Sequence, residues 1–162
     1  MKIQKIDGTN WNNILEIQGE AYQEVGLEDV EVLKSKVAAS PDTCFVSVSE
    51  KGVVLGYLLA HPWSGAQPPK LFEPLPCIEA SEYLYLHDMA VSAQSKGQGI
   101  GRSMFEALFK VALRMGANKI RLVAVQGSGD FWALFGFREI PGATVYSSYG
   151  KHAVLMEKVL KA

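Results

Sequence analysis

The chain has 162 residues, 48% hydrophobic and 20% charged, with a formal net charge of −1 at pH 7. That is enough apolar material for one domain over residues 1–162 with a sizeable core. It offers neither the basic surface of a nucleic-acid binder nor the acidic runs of a disordered tail. No apolar run approaches the roughly 20 residues of a membrane span.

The amino terminus, "MKIQKIDGTN", carries no apolar signal region, so a cytoplasmic protein is expected, and "MKIQKI" reads as a short first strand. Thr9 or Asn10 then caps a helix with Trp11, Ile14, Leu15, Ile17, Ala21 and Tyr22 on its apolar face. A second helix is predicted over Val30 to Ala39, ending before Pro41. "CFVSVSEKGVVLGYLLA" reads as two strands around a turn at Glu50, Lys51 and Gly52. Cys44 and Cys77 are isolated and read as reduced thiols, with a disulfide between them left open.

"HPWSGAQPPKLFEPLPCIEASE" follows and holds five of the seven prolines, too many for a hairpin turn. Loops beyond about 12 to 15 residues are often functional. "YLYLHDMAV" is a buried strand with a polar pair near its end. The next helix aligns Ile100, Met104, Leu108, Ala112 and Met115 on one face, and Gly116 serves as its C-cap. "NKIRLVAV" is another strand, "GDFWALF" a short helix, and "GFREI" and "HAVLMEKV" the last two strands. Strands and helices interleave, as in an α/β or α+β layered sheet.

Between the polar-ended strand and the long helix stands "KGQGIGRSM", Lys96 to Met104. Glycine is costly where a helix must nucleate. One reading is an anion site, because free amides and the positive dipole end attract phosphate at a helix N-terminus. The other is a tight structural turn. Gly101 is followed by Arg102 and Ser103 rather than Lys and Ser or Thr, so this is no P-loop. The dinucleotide spacing G-x-G-x-x-G fails as well.

"YLHDMAVSAQSKGQGIGRSMFEALF" resembles the donor-binding strand, pyrophosphate loop and helix of the GNAT superfamily of acyl-CoA-dependent N-acetyltransferases. The loop pattern Q/R-x-x-G-x-G/A is matched by "KGQGIG", with Lys96 in place of Gln or Arg. "GSGDFWALFGFREI" is similar to the later helix and closing Gly-Phe of that family, here Gly136 and Phe137. The resemblance runs from about Ile3 to Val159 and is weakest over His61 to Glu82. It implies a single-domain fold with a central mixed sheet flanked by helices, acetyl-CoA as acyl donor and an amine as acceptor. Backbone groups of Met89, Ala90 and Val91 would meet the pantetheine arm. Lys96, Gly97, Gln98, Gly99, Ile100, Gly101, Arg102 and Ser103 would hold the pyrophosphate.

The implied reaction is direct attack of an amine on a thioester carbonyl. A free alkyl amine holds its proton to about pH 10, so a base is needed. His87 is the candidate, because imidazole changes charge near neutral pH. His87 and Asp88 alternate along their strand and should face opposite sides unless a bulge intervenes. Where many relatives place a tyrosine acid, four residues before the Gly-Phe glycine, this chain has Trp132, whose indole cannot protonate a thiolate. Tyr146 and Tyr149 are the substitutes, and Trp132 is assigned to cofactor packing. That departure sustains one alternative, a non-catalytic acyl-CoA sensor or interaction module. For the acceptor, Trp63, Glu73, Glu82 and Asp88, with His61, Phe72 and Glu79 nearby, suggest a pocket for a small amine. A protein amino group is the other acceptor considered. No metal spacing is visible among His61, His87 and His152, and a homodimer is consistent with the family.

Overall fold

The computed structural model describes residues 1–23, 25–76 and 81–160. The elements follow in chain order as β1 (Lys2–Lys5), α1 (Trp11–Ala21), α2 (Val30–Ala39), β2 (Cys44–Val48) and β3 (Val54–Trp63). Then come β4 (Tyr83–Val91), α3 (Ile100–Arg114), β5 (Lys119–Ala124), α4 (Gly129–Ala133), β6 (Arg138–Glu139) and β7 (Val154–Val159). The strands form one sheet in the order β1-β2-β3-β4-β5-β7-β6. All pairings are antiparallel except β4 with β5.

The sheet is apolar on both faces, and this is why β2 is buried along its whole length. Phe45, Leu58, Leu84 and Leu86 point to α3, meeting Ile100, Met104, Phe105 and Leu108. Cys44, Val46, Tyr57 and Leu59 point the other way, to Ile14 and Ile17 of α1 and Leu33 of α2. Leu108 is fully buried, so Leu108→Ala should cost about 2–5 kcal/mol. Met115, expected on the same face, lies past the helix end and is exposed, whereas Phe105 takes a core place. Gly116 caps α3 at φ 75°, with Ala117 N–H returning to the Ala112 carbonyl at 3.0 Å.

Two departures from the sequence reading shape the site. The first is the reach of β3, which runs through His61 and Pro62 to Trp63 instead of ending before them. The β2–β3 pairing stops at Cys44↔Leu59, so Pro62 lies where β3 has no partner on that side and its missing N–H leaves no ladder bond unmade. The second is a bulge in β4. Leu59 pairs with Asp88 and Ala60 with Leu86, which leaves His87 as an extra residue. Side-chain alternation therefore reverses: Leu84 and Leu86 face α3, but Ala90 joins the cluster around α1. His87 and Asp88 consequently share one side of the sheet. Cys77, and with it the disulfide left open, and Glu79 lie outside the described residues. No helix among the described residues is long and apolar enough to cross a membrane.

Candidate active site

The parallel pairing of β4 with β5 is only two residues long, Leu84↔Ile120 and Tyr85↔Arg121. Beyond it the strands separate and open a cleft of about 630 Å³. Leu86 to Val91 form one wall, and Leu122, Val123 and Val125 the other. The edge of β4 from Leu86 onward has no strand partner on the β5 side, so a ligand can pair with its backbone there.

At one end β4 passes through the 3-10 turn Ala93–Ser95 into the glycine loop. Gly97 (φ 80°) and Gly99 (φ 77°) occupy the left-handed region, and Gly99 is the N-cap of α3. Gly101 has a different reason. A Cβ there would lie 3.3 Å from Met89 Cε and 3.7 Å from Phe131 Cζ, so α3 sits tight against β4 and α4. The first intrahelical bond is Ser103 N–H to the Gly99 carbonyl at 3.0 Å. The amides of Ile100, Gly101 and Arg102 precede it and have no partner within the helix. Lys96, Gly97, Gly99, Ile100, Gly101 and Arg102 all line the cleft. Ser103 does not, since its amide and its hydroxyl are both spent on Gly99. Gln98 is exposed and also stands outside the lining. The Arg102 guanidinium lies 5.0 Å from the Phe135 ring centroid.

At the other end sits His87. Its side chain is 1% exposed, and Nε2 lies 2.6 Å from Oε1 of Glu28. Burial pushes the Glu28 carboxyl upward, but the His87 hydrogen bond and charge, the Phe72 amide and Lys36 together hold it below its usual value. An ionised carboxylate only accepts, so Nε2 carries a hydrogen, and in the neutral tautomer that this bond selects Nδ1 keeps the lone pair. That Nδ1 has no hydrogen-bond partner among the described residues. Glu28 is fixed on every side: Gln18 binds its backbone N–H at 2.9 Å and its carbonyl at 3.2 Å, and Phe72 N–H donates to Oε2 at 2.9 Å. Phe72 reaches it from a left-handed backbone at φ 69°, a strained state for a bulky residue.

Beside His87 lies His61, fully buried, with ring centroids 6.3 Å apart. His61 Nδ1 donates to the Pro62 carbonyl at 2.9 Å, which leaves Nε2 as an unpartnered acceptor. Burial depresses its pKa to about 3, so it stays neutral. Asp88 is buried as well and accepts from the Tyr57 hydroxyl at 2.6 Å. Burial raises its pKa to about 6, although the charge on His87 and the hydroxyls of Tyr22 and Tyr57 pull it back. The Tyr22 hydroxyl also donates to the Met89 carbonyl at 2.9 Å, fixing the wall strand just past the bulge.

The other expected residues divide between two places. Met89, Ala90, Val91, Asp88, Trp132 and Tyr149 line the cleft. Trp132 is at the same time part of the core, packed among Phe105, Phe131, Phe135 and Phe137. Tyr149 is buried, donates to the Pro69 carbonyl and lies 3.2 Å from the Tyr85 hydroxyl; burial raises its pKa well above the phenol range. Trp63, Glu73 and Tyr146 are elsewhere, around a second hollow of about 510 Å³ with Lys36 and Lys70. Glu82 lines neither, and its carboxylate accepts from Gly65 N–H at 3.1 Å. Sequence reasoning missed Glu28, Gln18, Tyr22, Tyr57 and the strand position of His61. Glu28 stands in "GLEDVEV" with other acidic residues, where nothing local singles it out.

Residues 11–137 match the model of the acetyltransferase (GNAT) family. Ard1 from Thermoplasma volcanium is similar in structure, with a TM-score of 0.76 at 13% identity over 99% of this chain and 98% of that one. Rv2747 from Mycobacterium tuberculosis, solved with CoA, gives 0.72 at 16% identity over 99% of each chain. The ribosomal-protein-alanine N-acetyltransferase of Escherichia coli gives 0.68 at 15% over 99% and 94%. At these identities the likeness is one of fold. A comparison with curated protein sequences finds no match.

Proposed function

The chain belongs to the GNAT acetyltransferase family, and we propose that it moves an acetyl group from acetyl-CoA to a primary amine, with His87 as the base. The observation that carries this reading is that the free amides of α3 and the Glu28-locked His87 belong to one continuous cleft. Solved relatives of the same fold hold CoA, and the residues here fit it. Ile100, Gly101 and Arg102 offer amides to a pyrophosphate, Lys96 and Arg102 add charge, and the open edge of β4 from Met89 to Val91 offers backbone to the pantetheine amides. Lys96 supplies a point charge where Arg would supply a planar fork. Acetyl-CoA brings the activated acyl carbon, and the protein supplies positioning, an amide of Met89 or Ala90 for the carbonyl oxygen, and a proton acceptor.

The amine loses its proton to His87 Nδ1, directly or through one water, and Glu28 stabilises the imidazolium that forms. His61 stands beside the His87 ring with an unpartnered Nε2 among the described residues, and would serve as a second acceptor for such a water. A positioned base of this kind contributes about 10²- to 10⁴-fold. Tyr22 and Tyr149 both line the cleft, and Tyr149 is the one we assign to protonate the departing thiolate, the role that Trp132 cannot take. Trp132, the residue that favoured a sensor, has an ordinary reason in the aromatic core.

The test pairs calorimetric titration with acetyl-CoA and thiol release with a panel of primary amines. Binding and turnover in the native protein, with turnover alone lost in His87→Ala, is the expected result. Native protein that binds acetyl-CoA yet releases no thiol with any amine would sink the transferase reading.

A further inference from the structure

The acceptor end of the cleft is bordered by two segments from distant parts of the chain. Val25 and Gly26, from the connection between α1 and α2, line it on one side, and Leu71 lines it on the other. Beside them Leu27 and Phe72 are 56% and 44% exposed, among the large apolar side chains the fold leaves in water. Their position is fixed rather than incidental. The Phe72 amide is bound to Glu28, and a Cβ on Gly26 would touch the Phe72 ring at 3.5 Å. Gly26 itself sits at φ 93°, a conformation that other residues rarely adopt. The two segments therefore meet at Glu28, with Val25, Gly26 and Leu71 lining the cleft and Leu27 and Phe72 next to them in the chain.

The charges of the cleft point the same way. Among the described residues, Glu28 and Asp88 are the carboxylates that line it. Both oxygens of Glu28 are taken, by His87 and by Phe72, and Asp88 is buried against Tyr57. The cations Lys96 and Arg102 belong to the glycine-loop end. The acidic residues that suggested a cationic acceptor, Glu73 and Glu82, are outside the cleft. A charged group on the acceptor would meet no uncommitted counter-charge among the described residues lining this end, whereas an apolar group meets Val25 and Leu71.

We propose that the acceptor is a primary amine with an apolar side chain on the neighbouring carbon, seated against Leu27, Leu71 and Phe72. This rests on the transferase reading and narrows its acceptor. The chemistry is that of a leucine-like or phenylalanine-like α-amine, whether free or at the head of a polypeptide.

The experiment compares kcat/KM for leucinamide, phenylalaninamide, aspartic acid α-amide and lysinamide, then repeats leucinamide with a leucine-headed pentapeptide. The apolar amides should lead the charged ones by about tenfold or more. Leu27→Ser and Phe72→Ser should each shrink that lead, chiefly by raising KM for leucinamide, while the affinity for acetyl-CoA stays within twofold as the control for folding. A pentapeptide better than leucinamide identifies a polypeptide source, and the reverse identifies a free amine; either supports the apolar mouth. Equal or better turnover of the charged amides overturns the inference and leaves the transferase intact. So does a lead that survives both substitutions. No turnover with any amine overturns the transferase reading and this inference together.

Discussion

The donor and acceptor ends of the cleft are built on different principles. The donor end comes from a single run of chain, β4 through the glycine loop into α3, and most of what it offers is backbone: an open strand edge and three free amides. The acceptor end gathers Gln18, Tyr22 and Glu28 from the first helices and their connection, His61 from β3, Leu71 and Phe72 from the long loop, and Tyr149 from near the carboxyl terminus. A site made of backbone constrains a few glycines at close spacing, so it leaves a local signature. A site made of side chains brought from four separate parts of the chain leaves none, because each position is specified by tertiary packing.

If the two ends are separable, substitutions at one should not disturb ligand affinity at the other. The largest test is the base. His87→Ala should lower kcat about 10²- to 10⁴-fold and leave acetyl-CoA affinity within twofold. Glu28→Gln, with its partner 59 positions away in sequence, should follow it to within an order of magnitude. A glutamine can donate to Nε2, which moves the ring hydrogen to Nδ1 and removes the lone pair the reaction needs. Equal turnover of Glu28→Gln and native protein would show that the tautomer lock is irrelevant. Loss of acetyl-CoA affinity in either variant would break the separation itself.

Asp88 stands where the two ends meet, and its effect is on stability. Its folded pKa, about 6, lies above the 3.8 of an ordinary aspartate, so the folded state holds this proton more tightly than the unfolded chain does. The contribution is therefore favourable at low pH and is lost as pH rises from about 4 through 6. A shift of that size corresponds to about 3 kcal/mol. Asp88→Asn keeps an acceptor for Tyr57 and removes the titration. The stability of the variant relative to the native protein should climb between pH 4 and 7 and level off above. Thermal melts at matched ionic strength check this, and a flat difference curve would mean that Asp88 titrates normally.

Smaller again is the loop. Gly99 occupies a left-handed N-cap with open space around it, and Asp and Asn both tolerate that conformation. Gly99→Asp should weaken acetyl-CoA binding at least about tenfold, or roughly 1.4 kcal/mol, by setting a negative charge among the amides. Gly99→Asn, equal in size and uncharged, should weaken it far less. Equal losses in the two would point to backbone strain and remove the case for a phosphate cradle.

The sheet, its helices and the donor loop were legible for the physical reason that they are local. β4 falls on Tyr83 to Val91 and α2 on Val30 to Ala39 as predicted from apolar runs and a proline stop. Legibility failed at longer range. The bulge at His87 depends on a register with β3 that alternation along β4 does not encode, and Pro62 looked like the start of a loop because its unpaired side is a property of the sheet. The proline-rich segment was expected to hold the acceptor through its acidic residues. Its acidic residues Glu73 and Glu82 stand outside the cleft, and what it brings there is Leu71 and a backbone amide, Phe72 N–H, to the carboxylate that orients the base. Deleting Pro68 to Pro76 should accordingly lower kcat as well as raise the acceptor KM.

The smallest effect is expected at Tyr149, whose burial in the cleft was not readable from the late loop that carries it. Its hydrogen is already given to the Pro69 carbonyl, and Tyr85 holds its oxygen from the other side. To protonate a thiolate it must exchange that carbonyl for the leaving sulfur. The gain is modest, because an alkyl thiol has a pKa of about 8.5 and departs tolerably as the thiolate at pH 8. Tyr149→Phe should therefore lower kcat by no more than about tenfold, with the loss growing as pH falls and protonated thiol becomes the favoured product. A pH-independent loss would assign Tyr149 to holding the proline-rich segment in place. Full activity at every pH would hand the proton to water and remove Tyr149 from the acid–base chemistry.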